Sequence, residues 1–201
     1  QLAGDVNGDA KTDLIKFNPS TGNWAVSCST SCTLPPGGSW LSGFGNSSST
    51  PLLGDWNGDG RTDVAIFNGG SWQFATSTGT SFQTGTVSSF SSSSGTPLIG
   101  DFNGDSETDI GTYTNGAWSI ALGTGSSFSL AGSFTLSWGD GNFEASTGDF
   151  NGDGLTDIGI VNKSSGAMDV RLSTGSGWTS PTNWVGNFGG TNPHTSADFN
   201  G

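Results

Sequence analysis

The sequence predicts an all-β fold that is assembled from repeated units of about 48 residues. One acidic nine-residue pattern occurs four times in complete form, and its copies start 50, 46 and 48 residues apart. Glycine is abundant (35 residues) and charged residues make up only 11% of the chain, a composition that disfavours long helices. A period of this length is typical of repeat architectures, so fold and function are inferred from the repeated unit.

Each period contains about four short strands, which are runs of β-branched and aromatic residues bounded by Ser-, Gly- and Thr-rich turns. In the second period these strands are predicted at 50–54, 63–67, 71–76 and 82–90. Four antiparallel strands form one blade of a β-propeller. The chain is therefore predicted to be a β-propeller of four-stranded blades, with repeats at 1–50, 51–96, 97–144 and 145–193 and the start of a fifth at 194–201.

The sequence does not determine the number of blades in the assembled ring, because propellers usually have four to eight blades. The chain could form a closed four-blade ring with a redundant tail, could complete a ring with further copies as a homo-oligomer, or could be part of a larger protein. The fifth pattern begins at Asp198 and stops at Gly201. A domain boundary inside a loop is unusual, which favours an open or truncated array.

The acidic pattern predicts metal-binding loops. Twelve of the fifteen Asp residues lie inside the four complete loops, where only Lys11 and Arg61 offset them. Clustered carboxylates repel one another unless a cation lies between them. Asp, Asn and Gly also build ordinary hairpin turns, but such a turn does not need three acids.

Oxygen ligands at loop positions one, three, five and nine, with a backbone carbonyl at position seven, suit Ca²⁺. We therefore expect about four structural calcium ions. The position-seven residues, Lys11, Arg61, Glu107 and Leu155, are expected to bind through their backbone carbonyls. The predicted ligands are Asp5, Asn7, Asp9, Lys11 and Asp13; Asp55, Asn57, Asp59, Arg61 and Asp63; Asp101, Asn103, Asp105, Glu107 and Asp109; and Asp149, Asn151, Asp153, Leu155 and Asp157.

The loops differ from an EF-hand in two respects. Position six is Gly60 in the second loop but Ala10 and Ser106 elsewhere, which suggests a softer demand for positive φ than in an EF-hand. The bidentate Glu that an EF-hand needs at position twelve is absent from all four loops. Its place is taken by Lys16, Ile66, Thr112 and Ile160.

The loop and the residues after it resemble the FG-GAP and VCBS families of calcium-loop β-propellers. The resemblance rests on the D-x-N-G-D-x-x-T-D loop and on an aromatic strand followed by an S-T-G turn, as in SWQFATSTGTSF and AMDVRLSTGSGW. Such propellers occur in integrin α-chain heads, in fungal and bacterial lectins, and in secreted bacterial adhesins and toxins. The GAP tripeptide is missing, so the chain looks more like the VCBS or lectin branch than like an integrin head.

The two cysteines lie in the sequence CSTSC at Cys28 and Cys32, which the other repeats lack. We expect a local disulfide between them, because a zinc site would need two more ligands of suitable type and only His194 is available. A disulfide indicates an oxidising compartment, and the chain is therefore predicted to be secreted.

Two sets of aromatic residues recur at fixed places in the repeats. Trp24, Trp72 and Trp118 share one position, where Met168 stands in the fourth repeat, and we expect them to pack between blades. The second set precedes polar loops and is a candidate for stacking on sugar rings. The predicted ligand-binding residues are Trp40, Trp138, Trp184, Asn142 and Asn187, with Phe90 at the same position in the second repeat.

These features together predict a noncatalytic, multivalent carbohydrate-binding lectin. Five Lys and Arg residues are too few for a nucleic-acid partner, and no apolar run approaches the roughly 18 to 20 residues of a membrane span. Outside the loops the ionisable residues form no recognisable catalytic constellation, although Asp140 and Glu144 could in principle form a glycosidase pair. The alternatives are an adhesion or scaffold segment that binds a protein partner, and a polysaccharide-active enzyme or its accessory domain.

Overall fold

The computed structural model describes residues 1–30 and 38–186. Within these residues the chain forms seventeen short β-strands and one turn of 3₁₀ helix at Gly132–Phe134. The strands form four antiparallel sheets, one for each predicted blade. The predicted fold class, an all-β propeller of four-stranded antiparallel blades, is confirmed.

The first two blades have the same strand order along the chain. Blade 1 consists of β1 (Leu2–Gly4), β2 (Asp13–Asn18) and β3 (Asn23–Ser27), and Leu41 adds a single bridge to Trp24. Blade 2 consists of β4 (Thr50–Gly54), β5 (Asp63–Asn68), β6 (Ser71–Ser77), β7 (Phe82–Thr84) and β8 (Phe90–Ser91). Both β7 and β8 pair with β6 and so share the outer edge of that blade.

The last two blades repeat this order. Blade 3 consists of β9 (Thr96–Gly100), β10 (Asp109–Thr114), β11 (Ala117–Gly123), β12 (Phe128–Leu130) and β13 (Leu136–Ser137). Blade 4 consists of β14 (Phe143–Gly148), β15 (Asp157–Asn162), β16 (Met168–Arg171) and β17 (Thr182–Val185).

The chain divides into two compact units, which are described separately below. Unit 1 holds the described part of Gln1–Ser91 together with Thr124–Ser127, and therefore contains blades 1 and 2. Unit 2 holds Ser92–Gly123 and the described residues from Phe128 onward, and therefore contains blades 3 and 4.

The strand bounds predicted for the second repeat agree with the structure in three cases out of four. The first strand has the predicted bounds, and the second and third are each one residue longer than predicted. The fourth, predicted as one strand over 82–90, is two short strands with a gap between them. Gly85 lies in that gap with a φ of 84°, a left-handed conformation that interrupts an extended strand.

Each acidic loop is the connection of a β-hairpin between the first two strands of its blade. In blade 2 the pairing runs from Thr50 opposite Phe67 to Gly54 opposite Asp63, so the loop closes the hairpin at Asp63. The other end of every blade is formed by the turn between its second and third strands. A blade therefore has a loop end, which carries the acidic loop, and a turn end, which carries the turn between its second and third strands.

The second strand of each later blade is buried on both faces, as the continuous apolar run predicts. In β5 every residue from Asp63 to Phe67 is buried. The tryptophan at the start of the third strand then fills the blade. Trp24, Trp72 and Trp118 are all fully buried, and the Trp24 ring lies 6.5 Å from Phe82 of the next blade, as expected for a residue that packs between blades.

Two of these three tryptophans donate their indole N–H groups to backbone carbonyls. The Nε1 of Trp24 donates to the carbonyl of Phe44 at 2.8 Å, and the Nε1 of Trp118 donates to the carbonyl of Trp138 at 2.9 Å. The indole thus connects the third strand to the segment that closes the blade. This double use explains why a large aromatic with an N–H recurs at this position.

Some sequence predictions fall outside the described residues. Cys32, Asn187, His194 and the start of the fifth repeat at 194–201 lie there. Cys28 is described and packs against the core of unit 1. The disulfide between Cys28 and Cys32 stays a prediction.

Within the part of the chain that the structure describes, no helix is long and apolar enough to cross a lipid bilayer.

Replacing Trp118 with Ala should destabilise the protein by about 3–5 kcal/mol, because a fully buried ring is removed and a cavity remains. Equilibrium unfolding in urea, followed by tryptophan fluorescence and circular dichroism, measures the change. Leu130→Ala is the control, since that side chain is 62% exposed and its loss should cost little. Equal effects of the two substitutions would contradict the assignment of Trp118 to the core.

Candidate metal loops and ligand cleft

The first Asp of each loop organises the loop backbone. The two carboxylate oxygens of Asp5 accept hydrogen bonds from the backbone N–H groups of Gly8, Asp9 and Ala10, at 2.8, 3.2 and 2.8 Å. Asp101 accepts the same three bonds from its own loop, from Gly104, Asp105 and Ser106 at 2.7, 3.2 and 2.8 Å. The backbone therefore curls around the carboxylate of position one.

The next two ligand positions are fixed in a similar way. Asn7 Oδ1 accepts from the N–H of Asp9 at 3.0 Å, and Asp9 Oδ1 accepts from the N–H of Lys11 at 3.0 Å. The side-chain oxygens of positions one, three and five therefore all bond to N–H groups of the same short backbone arc. Asp5 Oδ2 and Asp9 Oδ1 each accept one such bond and so retain a second lone pair with which they can bind a cation.

This curvature demands positive φ at two positions in every loop. Position four is always glycine, and position six has a φ of 61° at Ala10 and 69° at Ser106. The expectation of a softer demand at position six is therefore wrong for the backbone. The conformation is the same in all four loops, and Ala10 and Ser106 adopt a region that is unfavourable for residues with a Cβ.

The Asp at position nine has a different environment from the other acids. Asp13, Asp63, Asp109 and Asp157 are fully buried. Asp63 accepts the N–H of Trp56 at 3.0 Å on one oxygen and the N–H of Ser77 at 2.6 Å on the other. Each of these carboxylates accepts the same pair of bonds, so position nine ties the loop to the end of the third strand.

Burial opposes the ionisation of Asp63, Asp109 and Asp157. It raises the pKa of Asp63 to about 7, and the nearby charges of Asp59 and Asp55 act in the same direction, while the two backbone hydrogen bonds act against it. Burial likewise raises the pKa of Asp109 to about 6 and raises that of Asp157. A cation in the loop would favour the ionised form of these acids.

The residues fit calcium in the chemistry of their donors, which are all oxygen atoms. Among residues 1–30 and 38–186, no three His, Cys, Asp or Glu side chains are gathered into a group that could hold a metal ion. In the second loop the position-nine carboxylate, Asp63, accepts two backbone N–H groups and also lies near the charges of Asp55 and Asp59. The donors predicted for each loop are still three carboxylates, one amide and the position-seven carbonyl, and calcium binding stays a prediction.

The aromatic residues predicted to bind sugar have three different environments. Trp40 is only 3% exposed and lies in the core of unit 1. Trp138 is half-buried, with the Trp118 ring stacked 5.9 Å away and the Arg171 guanidinium 5.1 Å from its centroid. Trp184 is 47% exposed. Trp184 is therefore the most exposed of these three tryptophans, and its ring lies 5.9 Å from that of Phe150.

A cleft of about 480 Å³ lies at the turn end of blades 3 and 4, within unit 2. The starts of β9 and β14, at Thr96 and Phe143, meet there with the ends of β10 and β15, at Thr114 and Asn162. No pattern in the sequence predicts this cleft. Its lining residues are Gly95, Thr96, Tyr113, Thr114, Asn115, Gly141, Phe143, Glu144, Ala145 and Lys163.

Several polar groups of the cleft are held in place by backbone carbonyls. The Tyr113 hydroxyl donates to the carbonyl of Asp140 at 2.8 Å, and Lys163 Nζ donates to the carbonyl of Gly141 at 3.1 Å. Burial raises the pKa of Tyr113, which keeps its hydroxyl protonated and able to donate. The loop that carries Asn142 is thus fixed from both sides.

Asn115 and Glu144 supply the open polar chemistry of the cleft. Asn115 begins the turn between β10 and β11 with a φ of 48°, and Gly116 follows with a φ of 90°, as in a type I′ Asn-Gly hairpin. Glu144 is exposed, and among the described residues its carboxylate accepts no hydrogen bond and forms no ion pair. The cleft therefore combines a half-buried aromatic ring, Phe143, with an amide and a carboxylate.

The family model for the FG-GAP-like repeat matches residues 55–112 and 101–160, which together are more than half of the chain. The chain belongs to the FG-GAP-like repeat family. Comparison with curated proteins gives no match.

Solved structures support the propeller fold. A lectin from Agrocybe aegerita, described as specifically recognising non-reducing terminal N-acetylglucosamine, is similar with a TM-score of 0.63 and 17% identity. The similarity covers 91% of this FG-GAP chain and 51% of the lectin chain. The Tc holotoxin pore of Photorhabdus luminescens is similar with a TM-score of 0.57 and 16% identity, over 96% of this chain and 10% of the toxin chain. The chain thus spans about half of the lectin and a tenth of the toxin component.

Asp63→Ala should destabilise the protein by about 2 kcal/mol or more even when calcium is chelated, because it leaves the buried N–H groups of Trp56 and Ser77 without an acceptor. The measurement is urea unfolding in excess chelator. If the substitution is neutral under these conditions, the carboxylate does not have the structural role assigned to it.

Asp59→Ala is the matched variant for the exposed part of the same loop. It should lower the number of bound calcium ions by one while costing less stability in chelator than Asp63→Ala, because Asp59 bonds only within its own loop. Equilibrium dialysis with radioactive calcium gives the stoichiometry. An unchanged stoichiometry would reject Asp59 as a ligand.

Proposed function

We propose that this FG-GAP propeller is a noncatalytic carbohydrate-binding module that is secreted and stabilised by calcium. The observation that carries the proposal is the cleft at the turn end of blades 3 and 4. It offers the half-buried ring of Phe143 beside the amide of Asn115 and the free carboxylate of Glu144. A sugar needs this combination, an apolar surface for the ring face and hydrogen-bonding groups for its edge.

The charge of the cleft and of the chain narrows the class of sugar. The chain has a net charge of -12, and the cation in the cleft, Lys163, is engaged with the Gly141 carbonyl. A carboxylate without a partner accepts hydrogen bonds and repels anions. The cleft therefore suits neutral or amine-bearing sugars better than uronic acids or sulfated glycans.

The comparison with the Agrocybe aegerita lectin supports a sugar-binding role, because that protein has a similar fold and recognises a terminal sugar. At 17% identity the similarity concerns the fold, so the sugar bound by this chain is a separate question. Repetition of the blade would allow several sites to act together on an arrayed glycan.

A noncatalytic role agrees with the use of Asp140 in the structure. This residue and Glu144 were the carboxylates that could have formed a glycosidase pair. The Asp140 carboxylate accepts the N–H of Asn142 at 2.7 Å and so caps a turn. Its backbone carbonyl also accepts the Tyr113 hydroxyl, which makes Asp140 part of the support of the cleft.

A second candidate is an adhesion or scaffold segment that binds another protein. The observation in its favour is the exposure of three large apolar side chains in the described residues, Leu14 at 54%, Leu130 at 62% and Trp184 at 47%. Exposed aromatic and aliphatic side chains are common anchors of protein interfaces. A similar fold forming 10% of a Tc toxin chain shows that such propellers also occur as segments of larger proteins.

Calcium would act on stability in this proposal, not on recognition. The loops lie at the loop end of each blade, whereas the cleft lies at the turn end of the same strands. An ion that binds the folded state at a hundred times its dissociation constant adds about 2.7 kcal/mol. FG-GAP-like repeats are typical of extracellular proteins, where calcium is plentiful and where the predicted disulfide would persist.

A glycan array probed with the calcium-loaded protein should show binding to a defined family of neutral or amino sugars. Phe143→Ala should weaken that binding about tenfold, because the stacking surface is lost. Phe17→Ala is the control, since Phe17 is similarly half-buried but lies in unit 1 and outside the set of aromatic residues predicted to stack on sugars. Binding that survives Phe143→Ala would place the sugar elsewhere, and a folded protein that binds no glycan would favour the protein-binding alternative.

Chelation should lower the melting temperature by several degrees without changing the far-ultraviolet circular dichroism of the folded protein, because the ions bind the folded state preferentially. Differential scanning calorimetry with excess chelator, and then with calcium restored, makes the comparison. Magnesium is the control ion, since it prefers near-octahedral sites with several waters. Identical melting curves in all three conditions would rule out calcium as a stabilising ligand.

A further inference from the structure

The threonine at loop position eight contacts the preceding loop as well as belonging to its own. In unit 1 the backbone N–H of Thr62 donates to the carbonyl of Asp5 at 2.6 Å. In unit 2 the N–H of Thr156 donates to the carbonyl of Asp101 at 2.7 Å, and Thr156 Oγ1 accepts the N–H of Asp101 at 3.0 Å. In both units the bond reaches the first residue of the preceding loop.

A serine of the following blade makes a second contact with the same loop. Ser77 Oγ donates to the carbonyl of Val6, and Ser173 Oγ donates to the carbonyl of Phe102 at 2.6 Å. The N–H of each serine also binds the buried Asp of its own loop. One serine thus joins its own loop to the preceding one.

The packing around these contacts leaves no room for a larger residue before the loop. A Cβ added to Gly4 would lie 2.5 Å from Thr62 Cγ2, and one added to Gly100 would lie 2.4 Å from Thr156 Cγ2. The glycine that precedes the loop is therefore required by the threonine of the next loop. Metal ligation alone does not account for either residue.

We propose that Thr62 and Ser77 in unit 1, and Thr156 and Ser173 in unit 2, are positioning residues for the preceding loop and couple its calcium affinity to the state of the following blade. The proposal rests on the calcium part of the proposed function. Position one is the residue whose carboxylate organises the loop. A shift of its carbonyl therefore moves the group around which the other donors are arranged.

The coupling acts in both directions, because an energetic coupling between two binding sites is reciprocal. Calcium in the second loop orders Thr62 and so favours calcium in the first loop. The same relation holds between the fourth loop and the third. Binding should therefore be cooperative within each unit.

Ser77→Ala tests the proposal, because it removes the hydroxyl that reaches Val6 and leaves the N–H bond to Asp63 in place. Ser81→Ala is the matched control: its hydroxyl lies in the same turn and bonds to Thr78 Oγ1, not to the preceding loop. Ser77→Thr keeps a hydroxyl at this position and should therefore preserve the wild-type behaviour of the first loop. Ser77 Oγ also accepts the N–H of Gly79, so the readout must be local to the first loop.

Hydrogen exchange followed by mass spectrometry supplies that readout in chelator. Ser77→Ala should accelerate exchange of the amides of Gly8, Asp9 and Ala10 about fivefold, the effect of losing one ordinary hydrogen bond. Ser81→Ala should leave these amides unchanged. Acceleration confined to blade 2, or equal in the two variants, would overturn the proposal whether or not the protein binds calcium.

Calcium titration by calorimetry tests the coupling itself. Asp59→Ala, which removes a ligand of the second loop, should also weaken binding at the first loop about fivefold beyond the loss of its own ion. Three remaining ions with unchanged affinities would overturn the coupling while leaving calcium binding intact. A wild-type protein that binds no calcium would instead reject the calcium part of the proposed function, and the exchange experiment would still decide the positioning role.

Discussion

Every blade of this propeller depends on one buried carboxylate, the Asp at loop position nine. This Asp is the first residue of the second strand. One of its carboxylate oxygens accepts the backbone N–H of the residue after the first Asp of the loop. The other oxygen accepts a backbone N–H at the end of the third strand. In blade 3 these bonds run from Phe102 and Gly123 to Asp109, both at 2.8 Å. Asn in this place would offer an N–H to one of two donors, so only the carboxylate satisfies both.

That arrangement costs free energy because a charged group is buried near other charges. The raised pKa values of Asp63 and Asp109 reflect this cost. A calcium ion in the loop would reduce it, and the positions that would bind the ion are already held by backbone N–H groups. Little reordering would accompany binding, which favours affinity. Bound calcium would then account for three features together. It would neutralise the acidic loops in a chain with few Lys and Arg residues, and it would add stability to the modest apolar core of a Ser- and Gly-rich chain.

The sequence allowed the propeller fold and most strand bounds of the second repeat to be predicted, because the loop pattern fixes where each hairpin begins. The sequence did not predict that the fourth strand is interrupted at Gly85, because a glycine in a Ser- and Thr-rich run can adopt either a positive or a negative φ. The burial of Trp40 was also missed, because an aromatic before a polar loop has the same pattern whether it faces solvent or the core. The cleft could not be predicted because Tyr113, Phe143 and Lys163 are far apart in sequence and meet only when blades 3 and 4 pack within one unit.

The two ends of a blade are subject to different constraints. At the loop end, the ligand positions, the buried Asp and the contacts to the preceding loop restrict almost every residue. At the turn end a hairpin needs only compatible φ angles. The position of Glu144 is Thr50 and Thr96 in the two preceding blades, and that of Lys163 is Pro19, Gly69 and Asn115 in the three preceding ones. The charged groups of the cleft at the turn end of blades 3 and 4 therefore lie where the fold constrains the sequence least.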